Sequence, residues 1–460
     1  PDPASPEGRG WSYWVGYYDK QPWSPASVRG GRAVLCHRAR LLDRMPGPGD
    51  VAEIGLLEDG RFTPLAATRA WNWQQGAQAQ WMGEQIVFND RVSAGEAGGG
   101  GGAARDDGPG DVAAARVVDA AGTLLRTLDD AVYTVDEGSL TALTLDYARL
   151  FAARAEYGYP GLAGGGEARA LERVPRSDGI RRVDVRTGRS RVVLTMAQLL
   201  ERFPCDAPSE ALHYVNHLMF ARPSPSSALH GAPRACFMHR FERADGTTHS
   251  RLFTMDAEGR DLRLLFEGFV SHYGWKDGTT LLAWAGRRAL MGSAGAGGGP
   301  RAGGGASRWS PKAVLRRSLK PVYHALGKPR FLMSMVMKDA YFLLRDEPGW
   351  TPARAEVVAR GELTTDGHCT YSPLNVDGGR FVLTDGYPDM RGRQPLFVWD
   401  TTGATFYRAG RYATVRTLDG PVRVDLHPRF SRDGTRVCID SAMDGTRGVW
   451  EVDVSALTRG

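Results

Sequence analysis

The chain has 460 residues, of which 42% are hydrophobic and 24% charged, and a formal net charge of +6. That length suits several domains or one large repeat fold, and the composition is that of an ordinary soluble globular protein rather than a disordered or collagen-like one. So small a charge on so large a surface does not imply nucleic acid, and no apolar run reaches about eighteen residues, so no transmembrane segment is expected.

Five cysteines are present without a CxxC pair, which argues against a thiolate zinc knuckle. Cys36, Cys236 and Cys438 each sit in an apolar strand-like run and read as small buried residues. The chain opens on Pro1 rather than Met. The compartment is therefore open, secreted or periplasmic if the N-terminus was trimmed. A monomer is expected.

Period-2 runs between turn signals divide the chain into seven units of about four strands each, the pattern of a β-propeller. The expected blades are 16–65, 66–128, 129–203, 204–268, 269–362, 363–420 and 421–460, all in one all-β domain. The first holds Gly16–Trp23, Ala33–His37 and Val51–Gly55, and the second Gln78–Trp81, Ile86–Arg91 and Ala115–Asp119. The third holds Ala131–Val135, Thr141–Leu145, Ile180–Asp184 and Arg191–Leu194. The last unit stops after three strands, so Trp11–Val15 is expected to supply its outer strand and close the ring. Residues 95–110 are a Gly-rich loop by composition. Residues 286–330 interrupt the fifth unit with many Arg and Lys and no Asp or Glu, and Ser310–Lys320 carries the cap, Pro and apolar spacing of a helix. This basic insertion is a solvated excursion, a cationic lid over an anionic ligand, or a contact with an anionic surface.

Four histidines recur in one register, each three residues before an aromatic: His217 with Phe220, His272 with Trp275, His368 with Tyr371 and His427 with Phe430. If the units are equivalent, these side chains converge at one channel mouth, with Lys20 and Gln78 at the matching positions of earlier units. His272, His368 and His427 are candidate ligands for a divalent metal (Zn, Mn or Ca), since neutral imidazole suits transition metals. His213 shares strand parity with His217, and Asp366 is placed to orient an imidazole. His37 and His239 end second strands and read as structural or rim residues. A second group is Tyr133, Arg149, Tyr157 and Tyr159, at a strand end and in the loop after it. Tyrosine acts as an acid or base when a neighbouring cation lowers its pKa.

The segments Gly16–Trp23, Trp71–Gly76, Phe88–Arg91, Asp366–Pro373 and His427–Gly434 resemble the seven-bladed propeller polysaccharide lyases. These are the ulvan lyases, with the oligogalacturonide lyases as more distant relatives. The resemblance runs from about Gly16 to Val454. It implies cleavage of an acidic, uronate-containing polysaccharide or oligosaccharide by β-elimination. That chemistry needs a cation on the carboxylate, a base for the C5 proton and an acid for the leaving oxygen. By order along the chain, Arg149 fits the cation, Tyr133 or Tyr159 the acid or base, and His213 or His217 its partner. Lys20, Gln75, Gln78, Asn89 and Tyr157 are expected to bind substrate. One departure stands out: the second unit offers Gln74, Gln75, Gln78 and Asn89 where the ulvan lyases present histidines. An amide binds a sugar hydroxyl but does not exchange a proton near neutral pH. A non-catalytic propeller that binds a glycan or protein, and a metal-dependent hydrolase, remain the alternatives.

Overall fold

The computed structural model describes residues 10–40, 43–93, 96, 111–162, 171–222, 232–243, 246–286, 339–359 and 361–458. The loop expected at 95–110 and the insertion at 286–330 lie outside these residues, save Glu96 and Gly286. Among the described residues, no helix is long and apolar enough to cross a membrane.

Every ladder between strands is antiparallel. The first sheet has the order β1 (Ser12–Trp14), β2 (Val34–Ala39), β3 (Ala52–Glu58) and β4 (Arg61–Thr68). The second runs β5 (Gln80–Met82), β6 (Gln85–Ser93), β7 (Asp111–Val118) and β8 (Leu124–Thr127). The third holds β9 (Thr134–Asp136), β10 (Thr141–Thr144), β11 (Gly179–Asp184) and β12 (Ser190–Thr195). Then comes a seven-stranded sheet of β13 (Tyr214–Phe220), β14 (Arg234–Glu242), β15 (Thr248–Asp256), β16 (Arg263–Trp275), β17 (Thr280–Gly286), β18 (Asp339–Arg345) and β19 (Glu356–Val358). Its long strand β16 pairs with β15 through Arg263–Gly268 and with β17 through Phe269–Trp275. A four-stranded sheet, β20 (Thr370–Tyr371) to β23 (Thr405–Ala413), and a three-stranded one, β24 (Arg429–Phe430) to β26 (Gly448–Asp453), complete the set.

Aspartates make the turns. Asp277 Oδ1 accepts from the Thr279 and Thr280 amides, Asp377 Oδ1 from those of Gly379 and Arg380, and Asp433 Oδ1 from that of Thr435. Each carboxylate satisfies amides that the reversing backbone leaves unpaired, so these segments turn rather than extend. The strands so delimited bury their β-branched and aromatic residues between sheets. Strands of neighbouring sheets lie side by side: β5 by β9, β9 by β13, β16 by β20, β20 by β24, and the last strand β26 by β1. The sheets are therefore arranged around a shared centre.

One expectation fails at the N-terminus. Residues 12–14 pair with 37–39 in the first sheet, and the last sheet keeps three strands. The link to the last sheet is a bond from the Tyr13 amide to the Arg447 carbonyl (2.9 Å) and one from the Val15 amide to Asp440 Oδ1 (2.8 Å). The cause is apolar burial. Trp14 is 2% exposed and lies against His37 (ring centres 5.2 Å), Trp71 (5.1 Å) and Trp73 (4.7 Å), partners that only the first sheet and the following loop offer. An outer-strand position would leave that indole in water.

Replacing a buried Trp by Ala costs about 3–5 kcal/mol. Trp14→Ala is therefore expected to lower the denaturant midpoint steeply, with Tyr13→Ala, which loses a smaller ring, falling less; chemical unfolding of the two variants checks the order.

Candidate functional site

The histidine register works through backbone irregularity. The β13–β14 register slips between Asn216 and Met219, and the β16–β17 register between Val270 and Tyr273. His217 and His272 sit in these bulges. Gln78, His217 and His427 also carry positive φ (54°, 52° and 42°), a left-handed conformation that costs a non-Gly residue energy. Bulges re-aim side chains. Here they release the strand ends from regular pairing next to the shared centre.

The side chains meet there. The ring centres of His272 and His368 are 4.1 Å apart, and those of His368 and His427 are 4.3 Å apart. Tyr17, from the segment after β1, stacks on His217 at 4.9 Å and stands edge-on to His427 at 5.0 Å and His368 at 5.9 Å. Tyr18 anchors this segment by donating to the Tyr273 carbonyl (2.8 Å). Tyr133 and Gln75 reach His217 from the other side, at 3.3 Å each from its Nδ1. Gln78 donates to Gln75 Oε1 at 3.0 Å. Lys20 is paired with Asp19 (2.7 Å), and its Nζ lies 5.5 Å from the Tyr133 ring centre. Tyr157 stands edge-on to His217 at 5.2 Å. At the rim beside it, Arg154 stacks on Tyr157 (5.4 Å) and Arg423 donates to Asp425 (2.7 Å).

Two carboxylates orient two of the imidazoles. His368 Nδ1 lies 2.9 Å from Asp385 Oδ2, and His272 Nδ1 lies 2.8 Å from Asp366 Oδ1. In each ring Nδ1–H faces the carboxylate, which leaves the Nε2 lone pair for another task. Asp366 thus orients an imidazole, that of His272, and Asp385 does the same for His368. Burial opposes charge on His368, but Asp385 and its neighbours outweigh it and raise the pKa above 6.5. Burial pushes His217 and His427 well below 6.5, with nearby cations adding to the effect.

The donor atoms of His368, Asp425 and His427 all lie within 4.8 Å of one another, and all three residues are buried. His427 Nε2 is buried with no hydrogen-bond partner among the described residues. A buried imidazole nitrogen left without a partner costs free energy, and a metal ion removes that cost. A set of imidazoles with a carboxylate, one imidazole backed by a second carboxylate, fits a divalent transition metal better than Ca, which takes oxygen ligands. His272 stands beside this set but is not within it. Asp425 escaped the sequence reading, although it shares strand parity with His427 two residues on.

Other expected residues lie elsewhere. Arg149, on the helix α1 (Tyr147–Ala153), pairs with Asp178 (2.9 Å) and donates to the carbonyls of Glu172 (2.9 Å) and His213 (3.2 Å). Its guanidinium tethers a loop and is not in contact with the histidine cluster. His213 shares a hydrogen bond with His239 (2.9 Å) instead of joining His217. His213 precedes β13, whereas His217 sits in its bulge. Tyr159 stacks on Tyr147 (4.3 Å), and its hydroxyl accepts from Asn89 Nδ2 (2.9 Å). Asn89 also exchanges bonds with the Val132 backbone (2.7 and 2.8 Å), so it joins the second and third sheets rather than facing the centre. An open depression of about 330 Å³ lies between the first two sheets. It offers a single ion pair, Arg116–Asp90, and no group suited to proton transfer or metal binding.

His427→Ala and Asp425→Asn are each expected to lower affinity for Mn2+ or Zn2+ by about 10-fold or more, the lower bound for losing even a supporting group, measured by calorimetric titration. His213 and His37 give a second test. Burial lowers each to about 4 from 6.5. Between these values the unfolded chain binds more protons, so stability is full above pH 6.5 and falls as pH drops toward 4. Denaturant midpoints across that window should show a shallower slope in His213→Gln.

No protein-family model matches the chain, and no curated protein does. Solved structures do. An oligogalacturonate lyase in complex with manganese superposes with a TM-score of 0.51 at 15% identity, covering 96% of this chain and 90% of that one. An oligogalacturonate lyase from Vibrio parahaemolyticus matches with a TM-score of 0.51 at 12% identity, over 96% and 91%. The β-propeller domain of the trilobed protease from Pyrococcus furiosus is more distant, with a TM-score of 0.38 at 9% identity, over 91% and 92%. The chain has the β-propeller fold of the oligogalacturonate lyases.

Proposed function

We propose that this chain is a seven-bladed propeller lyase that cleaves an acidic, uronate-containing glycan by β-elimination at the central cluster. The blade number is supported by the described residues, where counting β16 in two blades makes seven antiparallel groups, the last with three strands. The observation that carries the reading is the buried set His368, Asp425 and His427 beside the oriented His272, in a chain whose structural neighbours include a manganese-bound oligogalacturonate lyase. The more specific kinship with ulvan lyases rests on the motifs around Trp71 and Asn89, and the Gln residues of the second blade weigh against an identical substrate.

The roles follow from chemistry. A uronate C5 proton is removable only when charge building up on the adjoining carboxylate is stabilised. A divalent cation held by His368, Asp425 and His427 supplies that stabilisation when bound. Arg154 and Arg423, paired with Glu156 and Asp425, flank Tyr157 and add positive charge beside the cluster for an anionic chain. His272, with Nδ1–H directed at Asp366, presents Nε2 as the base for the C5 proton. The elimination breaks the C5–H and C4–O bonds and forms the C4=C5 double bond.

Incubation with ulvan, pectate fragments and other uronates, with and without Mn2+, should produce ultraviolet absorbance from the new double bond conjugated to the carboxylate. No absorbance change with any uronate overturns the lyase reading; binding without product would favour a glycan-binding propeller. Arg154→Ala is expected to lower kcat/KM by about 10²–10³, the scale of losing one electrostatic stabiliser, whereas Arg149→Ala should act mainly through stability.

A further inference from the structure

We propose that Tyr387 is the stacking platform for the pyranose ring of the reacting uronate, and that the hairpin carrying it forms one wall of the glycan site. The inference rests on the lyase reading above and adds the contact that holds the sugar ring itself.

The hairpin joins β21 (Phe381–Asp385) to β22 (Arg393–Asp400). Its base is fixed by the Gly386 amide, which donates to the Pro395 carbonyl (3.1 Å). Its tip is fixed by Asp389, whose Oδ1 accepts from the amides of Arg391 (2.8 Å) and Arg393 (3.0 Å). These bonds set the loop's shape before any ligand arrives. A second segment packs against the hairpin base. A Cβ on Gly367 would lie 1.9 Å from the Asp385 carbonyl oxygen, so only glycine lets the Asp366–His368 segment come this close. Asp366 and Asp385, the two carboxylates that orient imidazoles, are thereby tied to the hairpin. Tyr387 follows Asp385 by two residues.

The Tyr387 ring centre is 6.3 Å from that of His272 and 6.3 Å from that of His368. On the lyase reading, a uronate offers its C5–H to His272 and its carboxylate to a cation at His368. One sugar has to satisfy both, and Tyr387 is as far from one imidazole as from the other. Its ring therefore lies alongside that sugar. Arg423 is within electrostatic reach of both Tyr157 and Tyr387, so aromatic surface and positive charge share this side of the cluster.

Exposure separates Tyr387 from the other tyrosines at the histidines. Tyr17, Tyr18, Tyr133 and Tyr157 are each 5% exposed or less, whereas Tyr387 is only half-buried. A pyranose carries its hydroxyls around the rim and C–H groups on its faces. Such a face is apolar, and its hydrogens meet the negative face of an aromatic ring. A charge contact alone would let the sugar pivot about its carboxylate. Stacking removes that freedom and holds C5–H toward His272, which is how orientation lowers a barrier. Tyr387 binds and orients; no proton passes through it.

Calorimetric titration with trigalacturonate, in a His272→Gln background so that the probe is not consumed, tests the platform. Tyr387→Ala is expected to weaken binding by about 10-fold, the factor that some tens of Å² of apolar contact supply. Tyr387→Leu, which fills space without a flat face, should bind as weakly, and Tyr387→Phe should recover most of the loss. Proton NMR of the zinc-loaded protein should show C–H protons of one sugar ring shifted upfield, a shift that shrinks in Tyr387→Ala. A ring that merely shields the imidazoles from water would instead alter Zn2+ affinity and leave trigalacturonate binding to the loaded protein unchanged. Undiminished binding by Tyr387→Ala and Tyr387→Leu, or no upfield shift, overturns the proposal. Binding that depends on Tyr387, without an absorbance change on any uronate in the protein with His272 intact, sinks the lyase reading alone. If trigalacturonate does not bind, the platform falls, and the absorbance assay decides the lyase reading separately.

Discussion

A polar side chain taken out of water must find a partner, and at the centre of this protein several of the partners come from other sheets. His368 has Asp385, His272 has Asp366, and His217 has Tyr133 and Gln75. The bonds of His272 and His217 cross between sheets distant in sequence, whereas His368 takes Asp385 from the next strand of its own sheet. An unpartnered buried group costs about 1–3 kcal/mol, more when charged, so the array is stable only as a nearly complete set. The central cluster is thus a cross-sheet tie as well as a candidate reaction site.

The same constraint explains the strained backbone. Regular strands place side chains on the two sheet faces, whereas the centre needs them at the strand ends. The bulges at His217 and His272 and the positive φ of Gln78, His217 and His427 supply the departure. Strain of this kind persists where surrounding contacts over-determine it. The His217 position is held by its amide on Tyr133, by Tyr273 donating to its carbonyl, and by Tyr17 stacked on its ring.

Electrostatics divides the histidines by neighbourhood. Rings near carboxylates keep an oriented N–H, while rings facing cations and other imidazoles are held neutral. Arginines are paired as well: Arg149 with Asp178, Arg234 with Asp346, Arg154 with Glu156 and Arg423 with Asp425, the last two arginines half-buried.

Much was legible in the chain itself. Alternating runs bounded by Asp-Gly turns delimit the strands, because side-chain alternation and turn chemistry are local. The common register of His217, His272, His368 and His427 named the central imidazoles, since a repeat fold carries equivalent positions to equivalent places. Local pattern did not reveal Tyr17 between the histidines, Asp385 behind His368, the capture of Arg149 by Asp178, or the pairing of residues 12–14 with the first sheet. Each of those is a contact across a long sequence separation or a competition among partners for one buried group. Periodicity says which face a side chain takes; only packing decides whom it meets there.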